Sequence, residues 1–285
     1  MGKQADYISQ IKIVSLWGRK NITWDLRPDV NILSGINGIG KSTIINKAIE
    51  KLKDLEVPNI KLKMLQGGEL GNGQVAGVFF KFHPEGADCV HYDVIRSIDR
   101  PIIHSDLLEK MADEHVKTEL DFQLYQLQRR YLDYQVNIGN RMISCLTSGA
   151  PDAQQKAMEI AKAKNHFLDL VDDLFCETRK KIIRNSNEIM FTQDGDTLYP
   201  FQLSSGEKQM LVILLTVLVQ DNQNGALFMD EPEISLHVEW QERLISIIRD
   251  LNPNVQIILT THSPAVIMNG WTDVVTEVSD ITTEN

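Results

Sequence analysis

Cysteine is scarce in this chain: Cys89, Cys145 and Cys176 are all it has, and they lie far apart. None pairs with another at metal-ligand spacing, so reduced thiols inside a cell are expected in preference to a disulfide framework or a cysteine zinc site. Long apolar runs are missing too. The longest, Met210 to Val219, is too short to cross a bilayer. The stretch Met1 to Tyr7 has no apolar core of a secretory signal, and Asp6 stands where the myristoylation pattern needs Ser or Thr. Basic charge is in deficit. A formal charge of −10 and a pI near 5.2 argue against a surface that grips nucleic acid throughout, and leave room only for a local basic patch. These absences predict a cytoplasmic protein with no membrane segment, and 285 residues suffice for one large or two modest domains.

What is present begins with Gly35-Ile36-Asn37-Gly38-Ile39-Gly40-Lys41-Ser42, which fits the phosphate-loop pattern G-x-x-x-x-G-K-[ST]. The apolar segment Val30-Asn31-Ile32-Leu33 before it reads as a buried strand, and Thr43 to Ile49 opens a helix. Gly35, Asn37, Gly38 and Gly40 let backbone N–H groups turn inward around a triphosphate, at a helix N-terminus that favours negative charge. Lys41 is placed to reach the β- and γ-phosphates, Ser42 to ligate Mg²⁺, and Thr43 to continue the phosphate cradle. The pattern predicts that the chain binds a nucleoside triphosphate.

Ahead of the loop, Ile8 to Leu16 and Asn21 to Leu26 read as two strands joined by a turn at Trp17 to Lys20. Trp17 offers a ring that can stack on adenine or serve as an ordinary edge tryptophan. Beyond the loop, Gly67, Gly68, Gly71 and Gly73 mark a connection, and Val75 to Phe82 with Cys89 to Ile98 read as a strand pair turned at His83 to Asp88. From Ser105 to about Arg184 the text is helical. Leu120, Leu124, Leu127, Tyr131, Tyr134 and Ile138 alternate steps of four and three, the seam of a short coiled coil. Ser148-Gly149-Ala150-Pro151-Asp152 breaks the helix, Asp152 is placed to cap the next, and Ile160, Phe167, Val171 and Leu174 continue the stripe. This helical hairpin packs within the domain or serves as a lever or docking arm. Arg129, Arg130 and Arg141 on one limb, with Arg179, Lys180, Lys181 and Arg184 on the other, make either a phosphate-binding face or a solvated one.

Three further pieces follow in order. Leu203-Ser204-Ser205-Gly206-Glu207 opens an apolar helix at another anion-binding end. Ala226-Leu227-Phe228-Met229-Asp230-Glu231-Pro232 is an apolar strand ending in two acids, one suited to hold Mg²⁺ through water and one to activate the attacking water. Ile257-Ile258-Leu259-Thr260-Thr261-His262 is another apolar strand, ending in a histidine able to touch a γ-phosphate.

With these four pieces in that order, the chain resembles ATPases of the ABC superfamily over nearly its whole length. The resemblance implies an α/β fold: an ABC-type P-loop ATPase head with N-terminal antiparallel strands and a helical-hairpin insertion. Residues 1–104 would form the N-terminal half of the head, 105–187 the insertion and 188–285 the C-terminal half. It implies ATP and Mg²⁺ as cofactors, Lys41 on the phosphates, Ser42 and Asp230 at the metal, Glu231 as hydrolytic base and His262 as sensor. Ser204 and Gly206 would act in trans across a head-to-tail homodimer that sandwiches ATP, or within a higher oligomer. Ser205 and Glu207 replace a glycine and a glutamine of transporter heads, and Pro232 to His237 and Thr261-His262-Ser263-Pro264 also depart from them. These departures are similar to the soluble branch of chromosome-maintenance, RecF-type and overcoming-lysogenisation-defect ATPases, above all to small bacterial AAA-type anti-phage ATPases. Where that branch places a metal-sensing glutamine this chain has Asp99-Arg100, so Asp99 substitutes as a Mg²⁺ ligand, Gln66 or Gln74 serves instead, or turnover is slow.

The resemblance points first to an ATP-hydrolysing dimeric sensor and scaffold of antiviral defence. Only Ser263 to Asn285 follow His262, too little for a nuclease, so the expected effector is a separate chain such as a nuclease or reverse-transcriptase complex. A DNA-repair ATPase clamping duplex DNA is the alternative, with salt-sensitive binding to nucleic acid. A transporter motor and a head that binds ATP without hydrolysing it complete the set.

Overall fold

A computed structural model describes residues 2–56, 76–97 and 116–284. The chain divides into two compact units: Met1–Ile95 with Gln223–Glu233 and Asn254–Asn285, and Arg96–Asn222 with Ile234–Pro253. The first unit opens with strands β1 (Tyr7–Leu16), β2 (Lys20–Asp25) and β3 (Val30–Ser34), helix α1 (Lys41–Glu56), and strands β4 (Gly77–His83) and β5 (Tyr92–Arg96). The second unit then supplies helices α2 (Glu119–Thr147) and α3 (Ala153–Leu174), short strands β6 (Lys181–Ile182), β7 (Phe191–Gln193) and β8 (Asp196–Leu198), and helix α4 (Ser205–Val219). The chain returns to the first unit for β9 (Gly225–Asp230) and leaves again for α5 (Val238–Leu251). The first unit is completed by β10 (Val255–Thr260), α6 (Pro264–Met268), β11 (Val275–Glu277) and β12 (Thr282–Glu284).

Two sheets build the first unit. One has the order β12-β2-β1-β4, in which β1 pairs antiparallel with both neighbours; the other has the order β11-β3-β10-β9-β5 with β11, β3, β10 and β9 parallel. Every residue of β9 except Asp230 is buried, as is all of β10, which is why these strands read as continuous apolar runs rather than alternating ones. β1 alternates imperfectly because its register slips between Ile8 and Gln10 against β4. Two buried polar residues interrupt the apolar strands with their bonds satisfied. The Asn31 amide joins the backbone of Arg27 and Ile257, and the Gln256 amide joins Ile8 and Arg27. Ile11, Trp24, Ile44, Phe228 and Ile258 meet in one core, each worth about 1.5–3 kcal/mol of burial.

The expected pairing of Val75–Phe82 with Cys89–Ile98 is corrected: β4 lies beside β1 in the antiparallel sheet, whereas β5 lies beside β9 in the other. Each strand finds a partner remote in sequence because its apolar side is needed in the core, where Phe80 and Phe82 of β4 and Tyr92 and Val94 of β5 pack.

In the second unit α2 and α3 form the expected hairpin, and all six seam residues from Leu120 to Ile138 are buried, together with Phe167, Val171 and Leu174 of α3. Thr118 and Asp121 cap α2 reciprocally, a start the sequence reading missed. Asp152 makes no side-chain cap to α3; its carboxylate turns to Lys156 at 2.9 Å instead. Four of the seven basic residues of the limbs meet acids of their own unit: Arg141 with Asp221, Arg179 with Asp194, Lys180 with Glu207, and Arg184 with Asp169 and Asp172. Their charge is spent internally, which favours the solvated reading of that face over a phosphate-binding one.

Candidate active site

Parallel strands bring their C-terminal ends to one edge of a sheet, where the backbone turns outward and side chains become available. The register here puts Leu33 of β3, Thr260 of β10 and Asp230 of β9 in one row. The phosphate loop leaves β3 one residue beyond that row and runs into α1. Gly35, Gly38 and Gly40 take φ of 148°, 82° and 112°, backbone that a side chain strains. A Cβ at Gly40 would also sit 2.4 Å from Trp17 Cη2, so the loop and the Trp17 ring touch only because position 40 has no side chain. Trp17 itself is half exposed at the turn between β1 and β2, with φ of 53°. Asn37 is exposed and Thr43 half-buried at the start of α1.

Lys41 is buried, only 5% exposed, and its Nζ donates to Gly35 O at 2.8 Å, closing the loop on itself. The Ser42 hydroxyl donates to Asp230 Oδ1 at 2.9 Å, and the Thr260 hydroxyl donates to the same oxygen. Glu231 follows in the left-handed region with φ of 47°, strain of about 1–3 kcal/mol, held because its N–H reaches Thr260 O and Oγ1. That turn aims the Glu231 carboxylate at His262, whose Nδ1 lies 3.2 Å from Oε1. Buried Glu233 accepts from the Thr261 hydroxyl and, at 3.4 Å, from the His262 N–H, fixing the strand end that carries the histidine. Sequence reasoning assigned no part to Thr260 or Glu233. The only available signal was a hydroxyl or acid inside a stretch otherwise apolar or catalytic.

The Ser42 hydroxyl and the Asp230 carboxylate form a hard, all-oxygen donor pair at the loop. Such a pair suits Mg²⁺, which takes one or two protein oxygens and completes its octahedron with water and phosphate. Asp99, Gln66 and Gln74 lie outside the described residues.

Ser204 and Gly206 belong to the second unit, so the structure groups the loop, Asp230, Glu231 and His262 in one unit and these two residues in the other. Ser204 caps α4, but it shares that end with a carboxylate of the chain. Glu207 Oε2 accepts from Ser204 N at 2.9 Å and from Ser204 Oγ at 2.8 Å, while Oε1 takes Lys180 Nζ at 2.9 Å and Thr178 Oγ1 at 2.8 Å. Burial alone pushes the Glu207 carboxyl up. The Lys180 ammonium, the Ser204 N–H and the Thr178 and Ser204 hydroxyls outweigh it and hold the group below the usual carboxylate range. Gly206 has a packing reason of its own: a Cβ there would lie 2.4 Å from the Ser235 carbonyl oxygen.

Residues 95–269 match the family described as "AAA domain, putative AbiEii toxin, Type IV TA system". The chain is 22% identical over 304 residues to the "Septu protein PtuA" of Bacillus thuringiensis, covering 91% of this chain and 72% of that one. It is 31% identical over 138 residues to the "Retron Vc95 probable ATPase" of Vibrio cholerae serotype O1 biovar El Tor, covering 38% of this chain but 27% of that protein. Among solved structures, an SMC head bound to the C-winged helix domain of ScpA superposes with a TM-score of 0.52 at 15% identity, over 92% of this chain and 91% of that one. That likeness shows the fold: a mixed α/β head of the ABC ATPase type. The family match spans more than half of the chain, and the chain belongs to that family.

Proposed function

We propose that this family member binds ATP with Mg²⁺ at Gly35–Thr43 and Asp230, hydrolyses it, and uses the cycle to control a separate effector in bacterial antiviral defence. The observation that carries the reading is the Ser42–Asp230 hydrogen bond, which joins the loop to the acidic strand end across 188 positions of chain. The Lys41 ammonium, now on Gly35 O, is the charge that would transfer to the β- and γ-phosphates. Mg²⁺ held by Ser42 and Asp230 would supply charge neutralisation between those phosphates. Glu231 would take a proton from a water as its oxygen attacks the γ-phosphorus. The bond from that phosphorus to the bridging oxygen breaks, and ADP leaves with the electron pair. His262, beside the same carboxylate, would hold the γ-phosphate end of the site. Ser204 and Gly206 would close the site from a second copy in a head-to-tail dimer, and Trp17, against the loop, would stack on the base.

Relatedness to a Septu protein and a retron ATPase supports the defence setting and an effector on another chain, and the chain spans about a quarter of the retron ATPase it matches. The DNA-clamp alternative has less support, because Arg141, Arg179, Lys180 and Arg184 are paired with acids of their own unit. Among the described residues no helix is long and apolar enough to cross a membrane. The test is single-turnover hydrolysis of radiolabelled ATP by wild type and Glu231→Gln. Phosphate release by the wild type and retained, uncleaved ATP on the variant are expected. Cleavage at equal rates would overturn the assignment.

A further inference from the structure

Helix α2 carries a second heptad seam besides the buried one. Leu132, Val136, Gly139, Ile143 and Leu146 follow steps of four, three, four and three. They lie well round the helix from the buried stripe, and among the described residues nothing covers Val136, Ile143 and Leu146, exposed to 61%, 61% and 53%. A glycine inside a helix costs stability relative to alanine. Gly139 has no positive φ and open space around its Cβ position, so no contact among the described residues explains it.

We propose that this seam binds the same seam of a second copy, the two α2 helices packing antiparallel with Gly139 at the crossing. The pattern is close to a palindrome. Leu132 and Leu146 each stand seven residues from Gly139, Val136 three and Ile143 four, so a two-fold axis there sets Leu132 opposite Leu146 and Val136 near Ile143. A closed two-fold contact requires this self-complementarity, and glycine at the axis lets two backbones approach.

Charge selects the occupant. Two copies of a chain with net charge −10 repel over most surfaces. Between Leu132 and Leu146 the only charged residues are Asp133, at the margin, and Arg141, which is paired with Asp221 at 2.8 Å. The register also places the second copy's Ser148–Asp152 turn, whose Asp152 carboxylate faces its own Lys156 at 2.9 Å, opposite Arg129. Arg129 lines, with the acids Asp133 and Glu188 and with Tyr125, Leu132 and Phe201, a cavity of about 630 Å³ at that end of the seam, large enough to receive the turn. The paired stretch, about 21 Å of helix, is short for a permanent dimer on its own. This contact is independent of the ATP reading.

The experiment uses full-length, nucleotide-free protein with Cys89, Cys145 and Cys176 replaced by serine. Leu132→Cys and Leu146→Cys chains are oxidised separately and as a mixture, and Gly139→Cys alone. Cross-linked dimer from the mixture and from Gly139→Cys, with little from either leucine variant alone, is expected. Same-position cross-links at 132 and 146 mean parallel packing and overturn the proposal, as does no cross-link at all. Sedimentation of Val136→Asp/Ile143→Asp is expected to show a weaker dimer by tenfold or more. An unchanged association constant, or loss of a different co-purifying protein in its place, overturns it; should that variant not fold, the cysteine exchange still decides.

Discussion

His262 Nδ1 lies 3.2 Å from Glu231 Oε1, and the carboxylate reaches it because Glu231 adopts φ of 47°. The pair joins two strand ends and makes the acid's position depend on its backbone. Glu231→Gln is expected to lower hydrolysis by about 10²–10⁴-fold while ATP binding persists. Equilibrium binding of a fluorescent ATP analogue beside a phosphate-release assay checks both halves.

On the proposed reading Lys41 would exchange its bond to Gly35 O for phosphate oxygens, so its charge should dominate nucleotide affinity. Lys41→Ala is expected to weaken ATP binding by about tenfold to a hundredfold, the worth of one charge-assisted hydrogen bond or more. Calorimetric titration showing unchanged affinity would remove the loop from the site.

Gly206→Ala should damage the protein even before any nucleotide is present. The added methyl meets the Ser235 carbonyl, which must move at a cost of about 1–3 kcal/mol. Urea unfolding of nucleotide-free protein measures this, and an unchanged midpoint would mean that the segment gives way freely.

Glu207 sets an acid limit on stability. Its folded carboxyl titrates below the ordinary value of 4.5, so its contribution is complete above that value and is lost as pH falls through the lower, folded one. Between about pH 6 and pH 3, wild type should therefore lose more stability than Glu207→Gln. Lys180→Met leaves the buried carboxylate uncompensated and should cost about 3–5 kcal/mol at neutral pH, read from denaturant melts.

The features legible in the sequence were those with a local signature. The phosphate loop is contiguous, the strands ending at Asp230 and Thr260 are unbroken apolar runs, and the seam from Leu120 to Ile138 repeats with helical period. What escaped depends on partners remote along the chain. The pairing of β4 and β5 is decided by a core assembled from many segments, and the capping role of Glu207 needs Lys180, 27 positions away. Thr260 looks like the end of a strand until Asp230 and Glu231 are set beside it. Asp152 had the right residue type and position for a cap, yet Lys156 one turn on competes for the same carboxylate.

The row of Leu33, Thr260 and Asp230 also has a meaning for how the protein is made and kept. Its three strands are far apart along the sequence, at Val30–Ser34, Gly225–Asp230 and Val255–Thr260, so a ribosome must release the chain through Thr260 before the row can exist. Nascent and partly unfolded chains would then lack the proposed nucleotide site, and nucleotide bound there would reward only the finished fold. At ATP a hundred times its dissociation constant the reward is about 2.7 kcal/mol. A cell whose nucleotide pool collapses would thus loosen this protein through mass action alone, with no signal other than the missing ligand.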